Sequence, residues 1–270
     1  MEIGIGIFGG IDFDVQARLF KKHGVKRTFI TSETPDVDNV ITNFKQNGVM
    51  LDTLHAPFDK INDMWSRDEN AAQSMLCRLK TGVDICAEHS IPVVVVHLSS
   101  KTPMPEITDA GVNRFDSLFE YAKTKGVKIA LENQRFIENI EYFLNRNENL
   151  GFCWDTGHEN CFTSGINFME LFGQRLCAMH IHDNRCLYDK DDHLLPFDGN
   201  IDFDKVAYNI VSCGYDGTLM LEVGKNVKKD GKSVYGHMTD EEYIIKAIQA
   251  AGRLLDMINN KRHEKNQIAE

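Results

Sequence analysis

Short apolar runs alternate with amphipathic stretches along nearly the whole chain. Ile3–Phe8 reads as a buried strand, and Asp12–His23 as an amphipathic helix with Gly24 as its stop signal. Arg27–Thr31 is a second strand and Asp36–Gln46 a second helix, ending near Gly48. Met50–Leu54 is the third strand and runs into His55, followed by a long helix over Arg67–Glu88. Val93–Val96 is too β-branched and too short for a helix, so it reads as the fourth strand. The second half keeps the rhythm. Helices over Ile107–Lys125, Ile137–Arg146, Phe168–Phe172, Phe203–Ser212 and Glu241–Asn259 separate strands at Lys128–Leu131, Gly151–Trp154, Leu176–Ile181 and Thr218–Val223. The polar stretch Lys261–Glu270 is expected to fray as a tail behind a barrel over residues 1–260.

Continuous apolar strands separated by helices imply a parallel sheet covered on both faces. Eight such units in one chain of this length predict a single (β/α)8 barrel, an α/β fold. The competing architecture is a doubly wound open sheet. It often carries a phosphate-binding turn after its first strand, but Gly4, Gly6, Gly9 and Gly10 do not form a G-x-G-x-x-G that opens a helix.

A barrel places its chemistry at the C-terminal ends of its strands. Six consecutive strands here end in His, Asp or Glu: His55, His97, Glu132, Asp155 with His158 a turn later, His180 with His182, and Glu222. One such residue is ordinarily a satisfied core side chain. Six at matching positions are different, because buried carboxylates repel each other and lose solvation unless a cation joins them. Glu132, Asp155, His180 and Glu222 form an oxygen-rich set with one imidazole, which suits Mn²⁺, Co²⁺ or Mg²⁺ and also admits Zn²⁺. Cys153 is expected to lie too deep to join. His180 and His182, two apart on a strand, both point inward, and His182 is left to substrate or to supporting contacts. Asp189, Asp191, Asp192 and His193 follow the seventh strand and read as a solvated loop, a lid or further ligands.

The 270 residues carry 30 Lys and Arg against 40 Asp and Glu, a net charge of −10, so no global attraction to nucleic acid or to anionic membranes is expected. No apolar run approaches the ~20 residues of a membrane span. The opening MEIGIGIFGG lacks a basic region before its apolar run, and a cytoplasmic location is expected. Seven widely spaced cysteines without a C-x-x-C argue against a disulfide framework or zinc finger. Met64–Trp65 is a candidate surface for self-association, the plainer alternative being that Trp65 packs under a loop.

The runs HAPF at His55, HLSS at His97, LEN at Glu132, DTGH at Asp155, HIHDN at His180, Asp191-x-His193 leading into LLPFDGNIDF, and LEV at Glu222 resemble the xylose-isomerase-like TIM-barrel superfamily. That superfamily holds sugar isomerases and epimerases and the endonuclease IV repair enzymes. The epimerase branch implies one divalent metal on Glu132, Asp155, His180 and Glu222. It implies Glu132 and Glu222 as acid and base, and His158 on a small sugar substrate. His55, His97, His182, Arg185 and His193 are then candidate substrate contacts. The endonuclease branch implies three zinc ions on His55, His97, Glu132, Asp155, His158, His180, Asp191, His193 and Glu222. Where both branches commonly show G-E-G, this chain has Phe197-Asp198-Gly199-Asn200, and no loop rich in Arg and aromatics is seen for a DNA groove. A sugar isomerase is the expectation, free sugar being favoured by the lack of a phosphate loop. Abasic-site phosphodiester hydrolysis and a non-catalytic metal- or sugar-binding barrel are the alternatives.

Overall fold

The structure is a computed structural model and describes residues 1–229 and 232–269. Eight parallel strands alternate with helices. The strands are β1 (Ile3–Ile5), β2 (Arg27–Thr31), β3 (Met50–His55), β4 (Val93–Val96), β5 (Lys128–Glu132), β6 (Gly151–Asp155), β7 (Leu176–His180) and β8 (Leu219–Leu221). The helices are α1 (Phe13–Lys22), α2 (Val37–Gln46), α3 (Glu69–Glu88), α4 (Asp109–Thr124), α5 (Ile137–Arg146), α6 (Thr156–Phe162), α7 (Phe168–Phe172), α8 (Phe203–Cys213) and α9 (Asp240–Ala269). The sheet runs β7-β6-β5-β4-β3-β2-β1-β8. It closes between β7 and β8 through the isolated parallel bridge Ile181↔Leu221. The single (β/α)8 barrel is therefore the fold. Among the described residues no helix is long and apolar enough to cross a membrane.

Local chemistry sets the helix starts. Asp12, Asp68 and Asp202 each accept two backbone N–H groups of the helix they precede, satisfying donors that a first turn leaves unpaired. Gly24 and Gly126 follow α1 and α4 at φ 76° and 71°, a conformation that costs a side-chain-bearing residue.

The strand period of two sorts the core. Val94, Val96, Ile129, Leu131, Phe152, Trp154 and Met179 pack in the large cluster shared with the helices. Val93, Val95, Ala130, Cys153 and Ala178 form their own buried cluster inside the barrel. The next inward position up each strand is polar: Glu132 above Ala130, Asp155 above Cys153, His180 above Ala178. Small residues fill the floor, and the chemistry stands on it.

One expectation changes, one is decided, and some short elements are new. The segment from Lys261 is not a frayed tail: α9 continues to Ala269. Lys261 pairs with Asp204 at 2.8 Å, and Arg262 and Lys265 donate to the carbonyls of Tyr215 and Val211, so its polar side chains tie it to the barrel. Met64 and Trp65 are buried within the chain, so the plainer reading holds and they offer no exposed surface for self-association. The Trp65 indole donates to the Leu98 carbonyl at 2.7 Å. Small elements also appear that the pattern did not announce: α6, the 3-10 turns Ile61–Trp65 and Gly173–Arg175, and the strand pair Lys228–Lys229 with Lys232–Ser233.

Gly111 in the first turn of α4 lets the indole lie against the helix, because a Cβ there would sit 2.2 Å from Trp65 Cε3. Gly111→Ala should therefore destabilise the fold by ~1–3 kcal/mol through overpacking. Urea unfolding measures this, and an unchanged midpoint would mean that the indole is free to move aside.

Candidate metal centre

Glu132, Asp155 and His180 are the last residues of β5, β6 and β7, and Glu222 follows β8 directly. Asp155 and His180 are register partners across β6 and β7. Ligand atoms of all four residues lie within 4.8 Å of one another. His180 Nδ1 sits 2.8 Å from Glu132 Oε1 and 3.1 Å from Glu222 Oε2. The barrel thus brings together the four residues expected from the sequence.

Neighbouring groups fix these side chains. Asn133 donates to the Asp155 carbonyl at 2.8 Å, and its side-chain oxygen accepts from the Asp155 amide at 2.7 Å. Asp155 Oδ1 accepts from the His158 amide at 2.6 Å, so the carboxylate also caps α6. Its Oδ2 is buried without a hydrogen-bond partner, as is one nitrogen each of His97, His180 and His182. Three carboxylates around one imidazole, with an orphaned carboxylate oxygen, fit a divalent cation held by Glu132, Asp155, His180 and Glu222.

Two further donor groups adjoin this one. His55 Nε2 and His97 Nε2 lie 3.1 Å and 2.6 Å from Glu132 Oε2. Asp191 Oδ2 lies 3.2 Å from His158 Nε2 and 3.0 Å from His193 Nε2. His182 Nε2 is 3.1 Å from Asp155 Oδ1 and 3.4 Å from Asp191 Oδ1, and its ring stacks on His193 at 4.2 Å. Room for that ring comes from Gly157, where a Cβ would fall 1.8 Å from His182 Cε1.

The charges support each other. Burial raises the Glu132 carboxyl, but His180 and His97 outweigh it and hold the group well below the usual carboxylate range. Burial likewise opposes ionisation of Asp191, and His182, His158 and His193 overcome it. Burial lowers the imidazoles of His158 and His193, yet Asp155 and Asp191 push the first up to about 10, and chiefly Asp191 does the same for the second. His97 goes the other way, because its burial exceeds the attraction of Glu132.

Several residues stand differently from the reading of the sequence. Cys153 does not lie too deep: its sulfur falls within 4.8 Å of ligand atoms of Glu132 and His180, and burial keeps the thiol protonated. Arg185 is held apart, its guanidinium 2.9 Å and 2.6 Å from the two oxygens of Asp192, beside a separate cavity under Tyr235. The acidic loop is divided: Asp191 enters the centre, Asp192 takes Arg185 and Asp189 takes Arg135. Asp198 faces outward to Tyr235 and Lys246.

Other residues of the centre gave no sign in the sequence. Gln134 Nε2 lies 3.1 Å from His97 Nε2 and 2.9 Å from His158 Nδ1. Phe58 stacks on His97 at 5.1 Å and Phe162 on His158 at 5.0 Å, and Arg135 covers the Phe162 ring at 3.7 Å. The neighbouring LEN motif was the available pointer to Gln134. The aromatic residues sit in loops or on a short helix, where no periodicity marks them. These groups line a cavity of about 280 Å³ that opens above Glu132.

Fold and donor set together define a (β/α)8 barrel with a carboxylate–imidazole centre at its C-terminal mouth. The chain belongs to the xylose isomerase-like TIM-barrel family, whose family model matches residues 8–251. An uncharacterized protein of Methanocaldococcus jannaschii is 29% identical over 235 residues, spanning 80% of this chain and 74% of that protein. Among solved structures, D-psicose 3-epimerase with D-tagatose from Clostridium cellulolyticum H10 superposes with a TM-score of 0.76. It has 15% identity, covering 96% of this chain and 99% of that one. The IOLI protein with a binding zinc atom gives a TM-score of 0.72 and 19% identity over 96% of this chain and 99% of that one. At these identities the structural likeness speaks to the fold.

Proposed function

We propose that the chain is a divalent-metal-dependent isomerase or epimerase of a small hydroxy-ketone or hydroxy-aldehyde sugar. The observation that carries this reading is the pair of glutamates, Glu132 and Glu222, meeting at one buried imidazole from strand ends that β6 and β7 separate. Neighbours of the same fold that carry epimerase names agree with it. A cation on Glu132, Asp155, His180 and Glu222 would supply Lewis acidity, drawing electrons from a substrate carbonyl.

The side chains do the rest. One glutamate takes the proton from the carbon α to the carbonyl. The other, in its acid form, returns a proton to the enediolate, and the roles exchange in the reverse direction. His158 and His193 line the cavity beside the glutamates, each held by its Nε2 against Asp191, and so shape the space a substrate enters. Phe58 and Phe162 add aromatic walls to the mouth of that cavity. The test is solvent-deuterium incorporation next to the carbonyl of ketoses such as D-fructose and D-tagatose, followed by NMR with Mn²⁺ or Co²⁺ supplied. Absence of exchange across a panel of ketoses and aldoses would sink the reading.

One observation favours a second reading. Of the nine donors, His55 and His97 group with Glu132, and Asp191 and His193 group with His182, with His158 3.2 Å from Asp191, so both sets flank the central one. Three zinc ions on these groups would suit phosphodiester hydrolysis at abasic DNA. Metal analysis decides between them: one ion per chain supports the isomerase, and three ions with incision of an abasic duplex support the nuclease.

A further inference from the structure

The centre faces two cavities. His193 and Glu222 line both, so the spaces meet at the reacting glutamate. The first, of about 280 Å³, lies over β3 to β6. The second, of about 490 Å³, lies over β1, β2 and β8 and is the larger. A single small sugar at the metal-ligating residues would occupy the first and leave the second to solvent. Together the two fall within the usual range for sites that enclose larger ligands, ~300–1,000 Å³.

The walls of the second lobe state its chemistry. Among the described residues lining it there is no Lys or Arg, whereas Lys101 and Arg135 line the first. Phe8 and the buried Phe29 give it aromatic surface, Thr31 and Asn226 give it uncharged polar groups, and Asp192 adds a carboxylate that is paired with Arg185. Phe29 is seated firmly: its ring stacks on His180 at 4.6 Å and lies on the backbone of Gly6, where a Cβ would come within 2.3 Å. Aromatic surface with neutral hydrogen-bonding groups matches a sugar ring, which offers C–H faces and hydroxyl edges, whereas the Asp192 and Glu222 carboxylates in the same wall repel a phosphate and the His193 imidazole there is already held by Asp191.

We propose that the centre acts on a ketose bearing an uncharged glycosyl substituent, the ketose over β3 to β6 and the substituent over β1, β2 and β8. The assignment rests on the isomerase reading and adds the substrate class to it. A free monosaccharide would then be a poor ligand and the glycosylated ketose a better one, the added contacts strengthening binding roughly tenfold or more.

Calorimetry with Mn²⁺-supplied protein tests this, using D-fructose as the one-unit probe and isomaltulose and lactulose as two-unit probes. One of the disaccharides should bind at least about tenfold more tightly than D-fructose. Gly9 lines the second lobe and a Cβ there meets no atom within 4 Å, so Gly9→Trp has room to add an indole at its wall. That variant should bring the disaccharide-to-fructose ratio to about one, and Asn226→Ala, which only removes a polar group, should lower it in part. Equal or weaker binding of both disaccharides by the natural chain, or a ratio that Gly9→Trp leaves intact, overturns the proposal. Deuterium exchange in the same samples separates the two claims. Preference without exchange defeats the isomerase reading alone, and exchange into D-fructose without preference defeats the two-lobe assignment alone.

Discussion

Glu132→Gln and Glu222→Gln should each lower proton exchange next to the substrate carbonyl by ~10²–10⁴-fold, the usual worth of a positioned acid–base group. Glutamine keeps the shape and one carbonyl oxygen but cannot accept the proton. The two variants should differ in their side effects. Glu132 is buried among His55, His97 and His180, so its neutralisation also removes the charge that those imidazoles share. Glu222 is bounded by His180 and stays partly open to the cavities, its side chain 22% exposed. Glu132→Gln is thus expected to cost stability as well as turnover, and Glu222→Gln mainly turnover. The readouts are NMR exchange rates, metal content and thermal midpoints for each variant. Full turnover in both variants with metal still bound would dispose of the acid–base assignment.

The second large effect concerns metal removal and its dependence on pH. In the metal-free chain, His158 and His193 have folded values of about 10 against an unfolded value of ~6.5. Their contribution to stability is complete below pH ~6.5 and disappears as pH climbs toward 10. Glu132 and Asp191 are held below their unfolded values of ~4, so their contribution is present above that pH and lost as pH falls. His97, whose folded value is depressed, adds to the loss on the acid side. The chelated protein should therefore be most stable near pH ~5–6.5 and weaken steadily into the alkaline range.

A cation competes with those protons, so its binding should tighten with pH and release protons into a weakly buffered solution. At a hundredfold excess over the dissociation constant it should add about 2.7 kcal/mol, or roughly 5–10 °C for a chain of this size. Scanning calorimetry of chelated and metal-loaded samples across pH measures all of this. Identical curves at every pH would mean that no cation belongs in the centre.

The sequence revealed the residues at strand ends and concealed those between them. Glu132, Asp155 and His180 each end an apolar run whose period of two already points inward, so their convergence follows from the strand geometry. Glu222 belongs to the same pattern, one residue beyond β8. Gln134 and Phe58 lie in loops whose course depends on the packing of the finished barrel. Phe162 and the rest of α6 were hidden because seven residues opening with Thr156-Gly157 are too short to show an apolar stripe. The last turns of α9 looked like solvated tail because their anchors are long cationic side chains bonded to carbonyls, and hydropathy does not register such bonds. Arg185 had the composition of a substrate contact, and only the folded loop shows Asp192 already claiming it.

The ring of strands is closed between β7 and β8 outside the continuous ladder, by the isolated bridge Ile181↔Leu221. The amide of Glu222 donates to the Ile181 carbonyl across that join at 3.0 Å. One of the two proton carriers therefore hangs from the clasp of the ring while the other is set in its continuous band. Protein engineers who graft new loops onto this rim have more freedom over β3 and β4, because slack near the clasp would pull the pair out of step.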